Sequence, residues 1–171
     1  MTILGKSSRN SRNRLFVAIP LPSEPFQSLQ RKCGFRETQA HLTLHFIGEG
    51  DAQSIGQRLS SVSFSPFTII IDRIGAFPSL SAPRVIWVGI EPNPVVQELH
   101  KEILKALGAK DKQEFIPHIT LARISPGVKF PRLEIIKESF QVSSFILYNS
   151  TLASDGPVYD LVRIYTSRSS V

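Results

Sequence analysis

Cysteine is almost missing from this 171-residue chain: Cys33 stands alone, so no internal disulfide can form and no cysteine cluster offers a zinc ribbon or finger. One unpaired thiol suits a reducing compartment, and the expected location is cytoplasmic. Long hydrophobic runs are missing too. No apolar stretch approaches the roughly 20 residues that a membrane span requires, and the opening MTILGKSSRNSRN is too poor in apolar residues for a secretory signal; no membrane partner is expected. Charged residues make up only 20% of the chain against 42% hydrophobic, a balance that excludes a disordered protein. At this length roughly two-thirds of the unfolded surface can be buried. A cleft with fixed walls therefore needs neither a disulfide nor a structural metal.

Twenty Lys and Arg face fourteen Asp and Glu, for a net charge of +6. The excess sits at one end. Lys6, Arg9, Arg12 and Arg14 fall in the first fourteen residues with no acid among them, in a Ser- and Asn-rich stretch without apolar period. Residues 1–13 read as a disordered basic tail and 14–171 as one domain. From residue 15 onward sixteen basic residues meet fourteen acidic ones. That near-neutral body argues against an extended polyanion track.

The run RLFVAIPLP, closed by two prolines, predicts a strand. Ser23 is placed to cap a helix over EPFQSLQRK, and Asp51 a second one to about Val62. SPFTIIIDRIGAF and RVIWVGI read as strands around a PSLSAP loop. NPVVQELHKEILKALG, with one apolar face and Gly108 as its stop, is the strongest helix. His100, in the polar stretch ELHKE of that helix, is expected on its exposed side. FIPHITLAR, a short helix near Arg132–Lys137, and the strands FQVSSFILYNSTL and YDLVRIYTS complete the chain.

The order strand, helix, H-x-T strand, helix, long strand occurs twice. His41 and His118 are separated by 77 residues, Phe67 and Phe145 by 78. A near-constant offset is what an internal duplication leaves. The fold class expected is α+β: a bilobal, duplicated domain of two mainly antiparallel sheets with flanking helices around a central cleft.

His41 with Thr43 and His118 with Thr120 carry the chemistry. HLTLHFIG and HITLAR alternate, so each His and Thr share one strand face and the leucines and isoleucine the other. Either tripeptide alone reads as the solvated face of an amphipathic strand; two in matching frames do not. Two imidazoles can act together as general base and general acid. A threonine two residues on, about 7 Å along the strand, can donate to a non-bridging phosphate oxygen. The pair suits in-line displacement at phosphorus.

A metal site competes on paper, since His41 and His45 are four apart. On a strand four residues span roughly 13 Å, too far for one ion, and no carboxylate lies close in sequence. No metal and no cofactor are expected. His45 appears on the same face as His41 by alternation and is a candidate substrate contact. Arg123 is the candidate fixed charge on the phosphate, but strict alternation turns it away unless the strand bulges. Phe16, Phe46 and Phe115 could stack a base, with core packing the favoured reading of each.

Over Arg14–Thr166 the sequence resembles the two-histidine (2H) phosphoesterases, and within them the RNA 2′,3′-cyclic phosphodiesterases, also called 2′-5′ RNA ligases. The resemblance rests on RLFVAIPLP, HLTLHFIGE, IGAFPSLSAPRVIWVGI, FIPHITLAR and SFILYNSTLASDGPVYDLVRIY. It implies catalytic His41 and His118 and phosphate-binding Thr43, Thr120 and Arg123; Phe16, by its place beside these strands, is with His45 a candidate substrate contact. It further implies hydrolysis of RNA 2′,3′-cyclic phosphate ends to 2′-phosphates, with reversible 2′-5′ joining. We assign the acid to His41 and the base to His118; near-symmetry leaves the opposite assignment open. Expected partners are RNA ends or small cyclic nucleotides, bound by a monomer. The alternatives are a 2H enzyme acting on small cyclic nucleotides or ADP-ribose cyclic phosphate, and a non-catalytic RNA-binding module.

Overall fold

The β-branched and aromatic run Arg14–Pro20 forms a strand, and the alternating run His41–Glu49 pairs with it antiparallel. This computed structural model describes residues 14–36, 38–129, 134, 135, 137–154 and 156–168; the basic tail expected at 1–13 lies outside them. The elements are β1 (Arg14–Pro20), α1 (Phe26–Lys32), β2 (His41–Glu49), α2 (Ala52–Leu59), β3 (Phe67–Phe77), β4 (Val85–Ile90), α3 (Pro94–Leu107), β5 (His118–Arg123), β6 (Ser139–Val142), β7 (Ser144–Ala153) and β8 (Gly156–Thr166). No helix among the described residues is long and apolar enough to cross a membrane.

Helix ends follow local chemistry. Asp51 accepts from the Ser54 N–H at 2.8 Å at the start of α2, and Asn93 from Val95 and Val96 at the start of α3. Gly108, at φ +59°, ends α3 in the left-handed region. Ser23 does not cap α1 with its side chain. Instead the Glu24 carboxylate accepts from the Ser28 N–H and pairs with Arg31 at 2.7 Å. The short helix expected near Arg132–Lys137 lies partly outside the described residues, and residues 134, 135, 137 and 138 have no regular structure.

In place of two sheets, the described strands form one eight-stranded sheet in the order β6-β3-β4-β5-β2-β1-β7-β8. The two H-x-T strands lie at its middle and are antiparallel neighbours joined at the single pair Leu42 and Ile119. That short seam makes one sheet of what the repeat predicts as two. FQVSSFILYNSTL is also not one strand. It breaks at Ser143, with β6 pairing β3 at one end of the sheet and β7 pairing β1 near the other. Because β6 and β7 are one residue apart in the chain, the sheet must curl until its ends approach. The Ser143 carbonyl accepts from the Ser167 N–H there, at 2.8 Å.

One sheet face is covered by the helices. Leu15, Val17, Leu42, Leu44, Ile119 and Leu121 are buried beneath them in the main core. Here α1 packs on β5 and α3 on β2, so each helix supports the H-x-T strand of the other repeat. On the opposite face Phe16, Ala18, Ile146 and Tyr148 form a smaller buried cluster. The cleft lies on that second face.

Candidate active site

Leu42 and Ile119 point into the core with no exposure, so His41, Thr43, His118 and Thr120 project from the other side of their strands. The pairing sets His41 beside Thr120 and Thr43 beside His118. The histidine Cα atoms are then roughly 8 Å apart, one strand across and two residues along. That spacing leaves room for a phosphate between the rings.

Both rings are oriented in the same way. His41 Nδ1 lies 3.0 Å from the Gln39 carbonyl oxygen and His118 Nδ1 lies 2.8 Å from that of Ile116. A carbonyl can only accept, so each Nδ1 carries the proton and each Nε2 offers a lone pair. Burial lowers both imidazoles below their ordinary value of 6.5 by penalising the charged ring, against the opposing effect of these carbonyls. The charge of Arg123 lowers His118 further, and that of His118 lowers His41.

Matching bulges explain what alternation could not. On β5, Thr120 pairs with Trp87 and Ala122 with Ile86, so Leu121 is an extra residue and Arg123, opposite Val85, returns to the cleft face. Its charge is felt there by Tyr159 as well as His118. On β2, Thr43 pairs with Ala18 and His45 with Val17, so Leu44 is extra and Phe46 comes back beside Phe16. Phe46 and Arg123 therefore occupy equivalent positions, each five residues after its histidine. Phe46 is 68% exposed, contrary to the core packing expected of it.

Each bulge is held by a buried polar side chain. Gln30 and His100 are the buried polar residues among those described, at 1% and 3% exposure. Gln30 of α1 donates to the Leu121 carbonyl at 2.7 Å, and its amide also bonds Thr38. His100 of α3 donates through Nδ1 to the Leu44 carbonyl at 2.7 Å. Its Nε2 lies 2.7 Å from the Asp111 carboxylate, and Phe115 stacks on it at 3.8 Å. The exposed setting expected for His100 is thus overturned: the 109–117 loop folds back over it. Its place beneath β2 also draws in His45, which pairs with core-facing Val17 and whose ring lies 6.4 Å from that of His100. His45 does not share the face of His41, because the Leu44 bulge intervenes; it reaches the cleft's flank from the strand edge.

Aromatic rings wall the cleft. Tyr159 meets His41 edge-on at 5.1 Å, and Phe77 meets His118 edge-on at 5.2 Å, with Trp87 at 6.1 Å. Trp87 lies over Gly75, where a Cβ would overlap its ring. Phe16 sits on the cleft face but is only 1% exposed, covered by Phe46, Tyr148 and Tyr159. A ligand meets Phe46 and Tyr159 before it meets Phe16. Tyr159, Phe77 and Trp87 were not singled out from sequence; each lies in a strand whose face depends on pairing.

Two H-x-T strands side by side on one open sheet face place the chain among the two-histidine phosphoesterases. More narrowly, it belongs to the 2′-5′ RNA ligase superfamily, whose model matches residues 20–145, and it is an enzyme of that group. An RNA 2′,3′-cyclic phosphodiesterase of Aeropyrum pernix is 40% identical over 136 residues, 70% of this chain and 77% of that one. One from Methanocaldococcus jannaschii is 33% identical over 88% of this chain and 98% of its own. The crystal structure of E. coli LigT complexed with 3′-AMP superposes with a TM-score of 0.76 at 26% identity, over 92% of this chain and 99% of that one.

Proposed function

We propose that this protein hydrolyses RNA 2′,3′-cyclic phosphate ends to 2′-phosphates, by acid–base catalysis between His41 and His118 without a metal. One observation carries the reading: both Nδ1 atoms are committed to backbone carbonyls, which leaves two Nε2 atoms for a single cleft. The relatives named above support the substrate class.

In this mechanism His118 takes a proton from water as its oxygen bonds to phosphorus. The bond from phosphorus to the 3′ oxygen breaks on the opposite side, and His41 gives its Nε2 proton to that oxygen. A 2′-phosphate and a 3′-hydroxyl result. Thr43, Thr120 and Arg123 bind the non-bridging oxygens and the charge that builds on them. Arg123 favours neutral His118, which supports its assignment as the base. The same displacement with an RNA 5′-hydroxyl in place of water as the nucleophile, the 3′ oxygen again leaving, would join ends through a 2′-5′ linkage. The functional unit is the monomer over 14–171, read as two matching halves, β6-β3-β4-β5 and β8-β7-β1-β2, that meet at the seam.

The test is turnover of a cyclic-ended oligonucleotide in excess chelator. Activity should persist, and His41→Ala and His118→Ala should each lose about 100-fold or more. Full activity in both variants overturns the reading, and a 3′-phosphate product overturns the regiochemistry.

A further inference from the structure

The matching bulges make the two ends of the seam chemically different. Beyond Thr120 the equivalent position holds the cation Arg123; beyond Thr43 it holds the exposed ring of Phe46. From this second end a groove of about 820 Å³ runs between Phe46, Phe77 and the 109–116 loop, with Thr43 and His118 at its inner end. Neither His41 nor Thr120 lines it. It therefore leads away from the reacting phosphate.

The loop's charges are sorted across this groove. Lys110, Asp111, Lys112 and Glu114 all line it, but Asp111 is turned onto His100 at 2.7 Å. Two lysines are then left against one acid at the groove wall. An aromatic floor of exposed Phe46 and half-buried Phe77 with a cationic rim, joined to a phosphate site, matches a single-stranded nucleic acid: bases stack on rings and the backbone runs along cations.

We infer that this groove is the subsite for the nucleotide preceding the cyclic end of an RNA chain, with its base on Phe46 and Phe77 and its phosphodiester at Lys110 and Lys112. The inference rests on the proposed function and deepens it: the substrate is an oligonucleotide rather than a mononucleotide, since a cyclic mononucleotide has no second base and no 5′ phosphodiester to place there.

The experiment compares kcat/KM for a 2′,3′-cyclic-ended trinucleotide and for the cyclic mononucleotide of the same terminal base. The wild type should prefer the trinucleotide, and the double variant Lys110→Glu, Lys112→Glu should lower that preference about tenfold, through KM. Phe46→Ala should lower it by about fivefold or more. Equal loss on both substrates, or no loss on either, overturns the subsite. If the wild type opens no cyclic end, the proposed function fails separately. Equilibrium binding of the 2′-phosphate-ended trinucleotide then decides: weaker binding in the double variant supports the groove, and unchanged binding overturns it.

Discussion

His41 and His118 are alike in partners and burial, yet the proposed reaction requires them to differ by one proton. Both are held below 6.5, and the proposed mechanism needs one ring protonated and one neutral. The kcat/KM profile, which reports the free enzyme, should therefore peak on the acid side of 6.5. It should fall at higher pH as the acid loses its proton, and at lower pH as the base gains one. Arg123 decides which histidine governs which limb. Its charge lowers His118, so Arg123→Ala should raise that ring; with His118 as base, the acidic limb moves to higher pH. A shift confined to the alkaline limb would exchange the two roles. At this scale the sequence was informative wherever alternation holds: His41, Thr43, His118 and Thr120 could be placed on one face from spacing alone. It misled at His45, Phe46 and Arg123. The letters T-L-H-F and T-L-A-R give no sign of an extra residue, which exists only relative to the partner strands.

The elements that create those bulges are helices from the opposite repeat. Gln30 and His100 each donate to the carbonyl of a bulged leucine at 2.7 Å, a carbonyl that no neighbouring strand would satisfy. Gln30→Leu should destabilise the fold by about 2–3 kcal/mol, because the Leu121 oxygen and both Thr38 contacts lose their partner. It should also lower kcat/KM about tenfold by letting Arg123 drift from the phosphate. A double-mutant cycle separates the two effects. In the Arg123→Ala background Gln30→Leu should still lower the unfolding midpoint in urea, but should have little further effect on turnover. A full second loss of turnover would show that Gln30 acts on something other than Arg123. Helix boundaries were legible at Asp51 and Gly108, where one residue does the capping. The burial of His100 was not, because the Asp111 and Phe115 that enclose it follow the end of the helix.

Across the whole molecule, the repeat was visible as two offsets of nearly equal length, but not the way its halves share strands. β3 follows the first H-x-T strand in sequence and lies in the half of the second; β7 follows the second and lies in the half of the first. A cut between repeats therefore removes a strand from each side. A chain ending at residue 83 keeps β1, β2 and β3 but lacks β7, the outer neighbour of β1, and β4 and β5, which join β3 to β2. Expressed alone, it should be degraded by limited proteolysis at a concentration that leaves the full chain intact. A protected core would mean that the first repeat folds by itself.

The crossing at Ser143 also sets an order of events. On the ribosome β1 is made first, yet its pairing with β7 must wait until residue 144 and those beyond have emerged. Until then the edge that will carry Phe16 and support His41 is bare, and the cleft has one wall. A strand that precedes both H-x-T motifs is thus completed by one that follows both. A partly synthesised protein therefore holds both H-x-T motifs before it holds the site, whose second wall waits for β7 and β8.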